Sequence, residues 1–232
     1  MRAVAKPSDW RCRPLNIDNS LAEAHASLAW ATMLFDYDFA AAEREFERSI
    51  ELNPRYATAH QWFGMSLALM GRYEEGYTEL KRAIRLDPSS SVIQWGLGFV
   101  CLFARRYDQA IEQFEKALQL DPNSVQVQNG LGLAYLYKSM HTPAIAAFRK
   151  AEQLSQGALV AILGDAYAAA GNPDEARKTL EQLKELSKQR YVSPYLALPV
   201  SGNSNNLDAN SCFGESTTPI GFISLGCRIG CN

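Results

Sequence analysis

The stretch RRYDQAIEQFEKALQLDPNS, Arg105 to Ser124, recurs along the chain at a nearly fixed interval. Its upstream counterpart is GRYEEGYTELKRAIRLDPSS, Gly71 to Ser90, where Tyr73, Leu80, Ala83, Asp87 and Pro88 match Tyr107, Phe114, Ala117, Asp121 and Pro122. Each pair is 34 residues apart. A second shared piece lies ahead of each copy: Gly64, Gly98 and Gly132 keep the same interval and directly follow Phe63, Leu97 and Leu131. A fixed period of this length with two segments per period predicts tandem helical hairpins.

The small residues have a steric reading. Two antiparallel helices approach to roughly 8–10 Å only where side chains leave room for ridges to enter grooves. Gly98 and Ala110 supply that room, while Leu97, Phe114 and Leu118 fill the space opposite. Leu120-Asp121-Pro122 closes the second helix, because proline disfavours helical geometry in the residue before it. One hairpin leaves much of this apolar surface wet, so stability requires neighbours.

Leu97-Gly98, Ala110, Phe114, Ala117 and Pro122 fall in the order and spacing of the tetratricopeptide (TPR) signature, and the chain resembles TPR proteins from about Ser20 to Arg190. The resemblance implies an all-α, right-handed solenoid of about five helix-turn-helix hairpins with irregular termini, and a non-catalytic scaffold that binds a partner peptide or helix in a concave groove. DYDFAAAEREFERSIELNP, RYATAHQWFGMSLALMGRYEE and LKELSKQRYVSPY are similar to bacterial TPR arrays behind winged-helix, TolB-like or serine/threonine kinase domains. That likeness implies an alternative, a truncated piece of a multidomain transcriptional regulator or kinase whose effector domain is absent.

In chain order, residues 1–19 read as irregular, although Leu15-Asn16-Ile17-Asp18 matches the closing of a repeat, as if the array were entered midway. Ser20 and Glu23 form a capping-box pattern at the start of the first complete repeat. Repeats are expected at 22–56, 57–90, 91–124, 125–156 and 157–190. The first has one extra residue, assigned to a loop within LFDYDFA, where an insertion costs little. In the last, Asn172 suits a cap, Pro173 the first helical position, and Asp174 and Glu175 the positive helix end. Residues 191–232 read as a degenerate repeat start followed by a tail rich in Ser, Asn and Gly.

Bulk properties narrow the function classes. Twenty-three basic against 25 acidic side chains give a net charge of −2, which provides no field for nucleic acid or an acidic membrane surface. No stretch approaches the roughly 20 apolar residues of a membrane span, and no apolar signal core opens the chain, so the expectation is a soluble cytoplasmic protein. Five cysteines, an odd number without paired spacing, fit a reducing compartment. Cys101 reads as a small buried hydrophobe, and the Cys227-x3-Cys231 pair has no nearby ligands to complete a metal site. His25, His60 and His141 are too scattered for a metal or catalytic cluster. His25 and His60 occupy one repeat position, where TPR proteins often have an aromatic packed between helices. Glu43, Glu45, Glu47, Glu112 and Glu115, interleaved with Arg and Lys, read as a solvated helix face. Gly96-Leu-Gly98 and Gly130-Leu-Gly132 lack the strand and third glycine of a nucleotide loop. No nucleophile and base stand together, so the expectation is no enzyme, cofactor or metal.

In TPR proteins the inner face of the first helices lines the binding groove. Positions opposite Leu-Gly on the helical wheel give Trp30, Met33, Gln61, Met65, Trp95, Phe99, Asn129, Leu133 and Asp165 as candidate groove residues. TPR modules that clamp a terminal carboxylate use Lys, Arg and Asn there, and this set contains no basic pair. Trp95 and Phe99 either line such a groove or are covered by adjacent helices.

Overall fold

The hairpins form as pairs of helices. They are α1 (Ala22–Ala31) with α2 (Phe39–Leu52), α3 (Ala57–Leu69) with α4 (Tyr73–Leu86), α5 (Ser91–Phe103) with α6 (Tyr107–Leu120), α7 (Val125–Tyr137) with α8 (His141–Leu154), and α9 (Val160–Ala169) with α10 (Pro173–Gln189). The computed structural model describes residues 20–155 and 159–189, and among these no strand occurs. The readings made for residues 1–19, for Gln156 and Gly157, and for the 191–232 tail with Cys212, Cys227 and Cys231 lie outside the described residues.

Each first helix ends through the same left-handed residue. Gly71, Arg105, Ser139 and Gly171 have φ of 81°, 59°, 58° and 74° at equivalent repeat positions. The next residue's amide then reaches back over the last helical turn, as in Arg72 N to Leu67 O at 2.9 Å, Arg106 N to Cys101 O at 2.8 Å, Met140 N to Tyr135 O at 2.9 Å and Asn172 N to Tyr167 O at 2.9 Å. These bonds satisfy carbonyls that would otherwise be orphaned at a helix end. The second helix begins at once, and its predecessor residue tethers the hairpin to the one before. Arg72 pairs with Glu75 and with Glu43 of α2, and Arg106 pairs with Glu74 of α4. The second helices α2, α4 and α6 stop at Leu52, Leu86 and Leu120, two residues before Pro54, Pro88 and Pro122.

Two sequence expectations change. The first helix takes Leu21, which provides no side-chain cap bond, at its N-cap, one residue after the Ser20 expected from the sequence. The extra residue of the first repeat is absorbed in helical backbone: Thr32–Asp36 is a π-helical turn continuing α1, followed by Tyr37 at φ 55°. A π turn takes up one inserted residue while keeping backbone hydrogen bonds, which a loop would lose. Asp38 then caps α2, its Oδ1 accepting from Ala41 N at 3.0 Å. As expected, α10 begins at Pro173 with Asp174 and Glu175 in its first turn.

The chain divides into two compact units, one ending at Leu120 and one beginning at Asp121. In the first, Ala29, Met33, Ala42, Phe46, Phe63 and Leu67 form one core cluster, with Phe46 and Phe63 stacked at 5.5 Å. Met65, Ala68, Leu80, Ala83, Ile93, Leu97 and Val100 form a second, and Ala110, Phe114 and Ala117 are fully buried on α6. In the second unit Ala144, Phe148, Leu163, Ala166, Tyr167 and Ala176 pack together. The large apolar position is buried at Phe46, Leu80, Phe114 and Phe148, whereas Leu180 is half-buried. Cys101 lies in the core, and burial pushes its thiol up to about 11, so it is an inert hydrophobe at neutral pH.

Candidate functional site

The first helices owe their surface to composition. α3 (ATAHQWFGMSLAL) and α5 (SVIQWGLGFVCLF) contain no Asp, Glu, Lys or Arg; α3 packs on α4, α1, α2 and α5, and α5 packs on α6, α4 and α3. Such packing takes much of the helix circumference out of water. Three candidate groove residues are core residues: on α3, Gln61 is 5 % and Met65 7 % exposed, and in the π turn after α1, Met33 is 2 % exposed. The buried Gln61 amide donates to Val92 O at 3.3 Å, tying α3 to the start of α5.

Trp30, Trp95 and Phe99 keep part of their surface. Trp30 packs on both core clusters of its unit and stacks on Trp62 with ring centroids 5.5 Å apart. On α5, Trp95 and Phe99 lie 5.6 Å apart, and Phe99 and Phe103 4.4 Å apart. All five rings are partly exposed. Trp62 and Phe103 were not among the sequence candidates, although the four-residue spacing of Trp95, Phe99 and Phe103 already places them on one helix face. In the other unit, Asn129 and Asp165 are half-buried, the Oδ1 of Asn129 lacks a hydrogen-bond partner, and Leu133 rests against the Phe148 cluster.

The histidines of the first two hairpins join their helices. His25 Nδ1 lies 2.6 Å from Glu45 Oε2, and His60 Nδ1 2.7 Å from Glu79 Oε2. The third hairpin has Gln94 donating to Gln113 at 2.5 Å in the equivalent place. Glu45 and Glu43 thus serve as partners across helices, unlike the free solvated face expected for them. The Glu79 hydrogen bond raises His60 above its usual value against the opposing effect of burial. Among the described residues no group of three or more His, Cys, Asp and Glu is placed to hold a metal ion.

Family models for the tetratricopeptide repeat match residues 38–91 and 162–187, and one for the TPR repeat matches 106–138. The chain is a tetratricopeptide-repeat protein. Solved TPR structures agree with the fold. MamA from Desulfovibrio magneticus RS-1 has a TM-score of 0.60 at 20 % identity, covering 73 % of this chain and 96 % of its own. TTC0263, a thermophilic TPR protein in Thermus thermophilus, has 0.63 at 18 %, with 72 % and 92 % covered. Pseudomonas aeruginosa PilF has 0.58 at 28 %, with 76 % and 81 % covered. No curated protein matches the chain. The TPR fold accounts for the recurring helical glycines and the left-handed hairpin turns, and TPR repeats serve in general as protein-interaction folds. No helix among the described residues is long and apolar enough to cross a membrane.

Proposed function

We propose that this TPR chain is a non-catalytic interaction scaffold, and that the first-helix face of the unit ending at Leu120 takes an apolar segment of a protein partner. The observation that carries the reading is the aromatic run on α5, where Trp95, Phe99 and Phe103 touch in sequence and each remains partly exposed. The Trp30–Trp62 stack adds a second aromatic surface in the same unit. Aromatic anchors carry a disproportionate share of interface energy, and the uncharged α3 and α5 present no ion that such an anchor must desolvate. A partner's terminal carboxylate finds no cation there for a charge-assisted bond. The near-balanced charge of the chain gives no attraction for nucleic acid, and the buried free thiol of Cys101 fits a reducing, cytoplasmic setting.

The test is a peptide library containing extended and helical apolar segments, with binders measured against wild type, Trp95→Ala and Phe99→Ala at low and high ionic strength. The expected result is binders that lose roughly tenfold or more in affinity on each substitution and respond weakly to salt. Binders that survive both substitutions and disappear in salt would move the contact to the charged second-helix faces and defeat the reading.

A further inference from the structure

The second hairpin holds a charge arrangement that the binding face does not use. His60, on α3, is 3 % exposed and has an acceptor at each ring nitrogen: Glu79 Oε2 lies 2.7 Å from Nδ1, and the Pro54 carbonyl lies 3.0 Å from Nε2. A neutral imidazole has one N–H and can donate to only one of them. Arg82 Nη1 donates to the other Glu79 oxygen at 2.6 Å, which places a cation on the far side of the carboxyl group from the ring. Of the charged groups on the elements packed against α3, those acting most on the ring are Glu79 and Arg82 of α4, ahead of the Glu and Arg side chains of α2 and of Glu23 and His25 on α1; the α2–α3 connection offers the uncharged Pro54 carbonyl, and α3 and α5 contain no Asp, Glu, Lys or Arg.

We propose that His60 is a protonation-dependent latch: as the imidazolium it ties α3 to α4 and to the chain entering α3, and loss of its proton as pH rises loosens the second hairpin. Deprotonation removes one N–H from a buried site, leaving either the Pro54 carbonyl or the nearly buried Glu79 carboxylate without its donor. The Glu79 hydrogen bond, the largest influence on the ring, places the folded-state titration above the ordinary histidine value. A group raised in the folded state contributes fully below the unfolded value of about 6.5, and that contribution is lost as pH rises through the raised one. The third hairpin supplies an internal control, since its equivalent pair is the uncharged Gln94–Gln113.

The experiment compares the full chain with H60Q/E79Q, which copies that uncharged pair, by urea unfolding from pH 6 to pH 9. His25 is present in both proteins, so its effect cancels in the difference. Wild type should lose folding equilibrium by up to about tenfold per pH unit above about 6.5, and the double variant should lose that component. Equal pH slopes would overturn the latch. Nitrogen-15 NMR of the wild-type imidazole decides the matter even if the variant fails to fold. Two ring N–H signals for His60 near neutral pH support the imidazolium, and a single N–H with titration at or below the ordinary value refutes it.

Discussion

Gly64 of α3 and Gly76 of α4 meet backbone to backbone: a Cβ at Gly76 would lie 2.5 Å from the Gly64 carbonyl oxygen. The equivalent pair in the third hairpin is Gly98 and Ala110, so one methyl is tolerated there and not here. In an exposed helix, glycine to alanine gains about 0.5–1 kcal/mol from backbone entropy. At Gly76 the clash is with backbone, which cannot rotate away, and overpacking of this kind costs about 1–3 kcal/mol. Gly76→Ala should therefore destabilise the chain in urea titration, and a rise in the midpoint would show that the two helices stand further apart than described.

The 34-residue grammar was legible because the tightest contacts fall on a few residue types. Gly98, Ala110, Phe114 and Ala117 can be exchanged only at a cost in volume, so the spacing of small and large residues reports the helix crossing directly. The π turn at Thr32–Asp36 was not legible, since an insertion between two fixed anchors leaves no mark of where the backbone takes it up. The helical wheel placed Gln61 and Met65 on the groove face because it considers one partner helix at a time, whereas α3 packs against α1, α2, α4 and α5. The His–Glu pairs did leave a signal. His25 precedes Glu45 and His60 precedes Glu79, and each glutamate sits directly before the large apolar residue, Phe46 or Leu80. Recognising it requires aligning the two helices of a hairpin as well as successive repeats.

The hairpin turns offer a paired prediction with opposite signs. Gly71 and Arg105 occupy equivalent left-handed positions, with φ of 81° and 59°. Only glycine enters this region without a steric penalty, while a non-glycine residue pays on the order of 1 kcal/mol. Gly71→Ala should lower stability by about 1 kcal/mol, although an added Cβ meets no atom within 4 Å. Arg105→Gly should be neutral or stabilising by up to about 1 kcal/mol, because it relieves the strain and Arg105 is exposed. Thermal melts of the two variants would check both signs, and a stable Gly71→Ala protein would mean that the turn readily adopts another closure.

Ser66 of α3 is 0 % exposed, and its Oγ has no hydrogen-bond partner. The equivalent positions in the other repeats hold Ala31, Val100, Ala134 and Ala166, so the site is apolar in every hairpin but this one. A buried hydroxyl without a partner costs about 1–3 kcal/mol in lost solvation, and serine is also a poorer helix former than alanine by a few tenths of a kcal/mol. Ser66→Ala removes one oxygen and leaves little space to fill, so the cavity penalty is small beside these gains. The variant should be more stable by about 1 kcal/mol or more in urea unfolding. Ser66→Val, which copies Val100, separates the hydroxyl from the volume. If Ala stabilises and Val does not, the site is polar by accident and tight by shape. If both variants are weaker than wild type, the hydroxyl is satisfied in solution, and Ser66 belongs with His60 and Gln61 among the polar groups that hold the second hairpin in place.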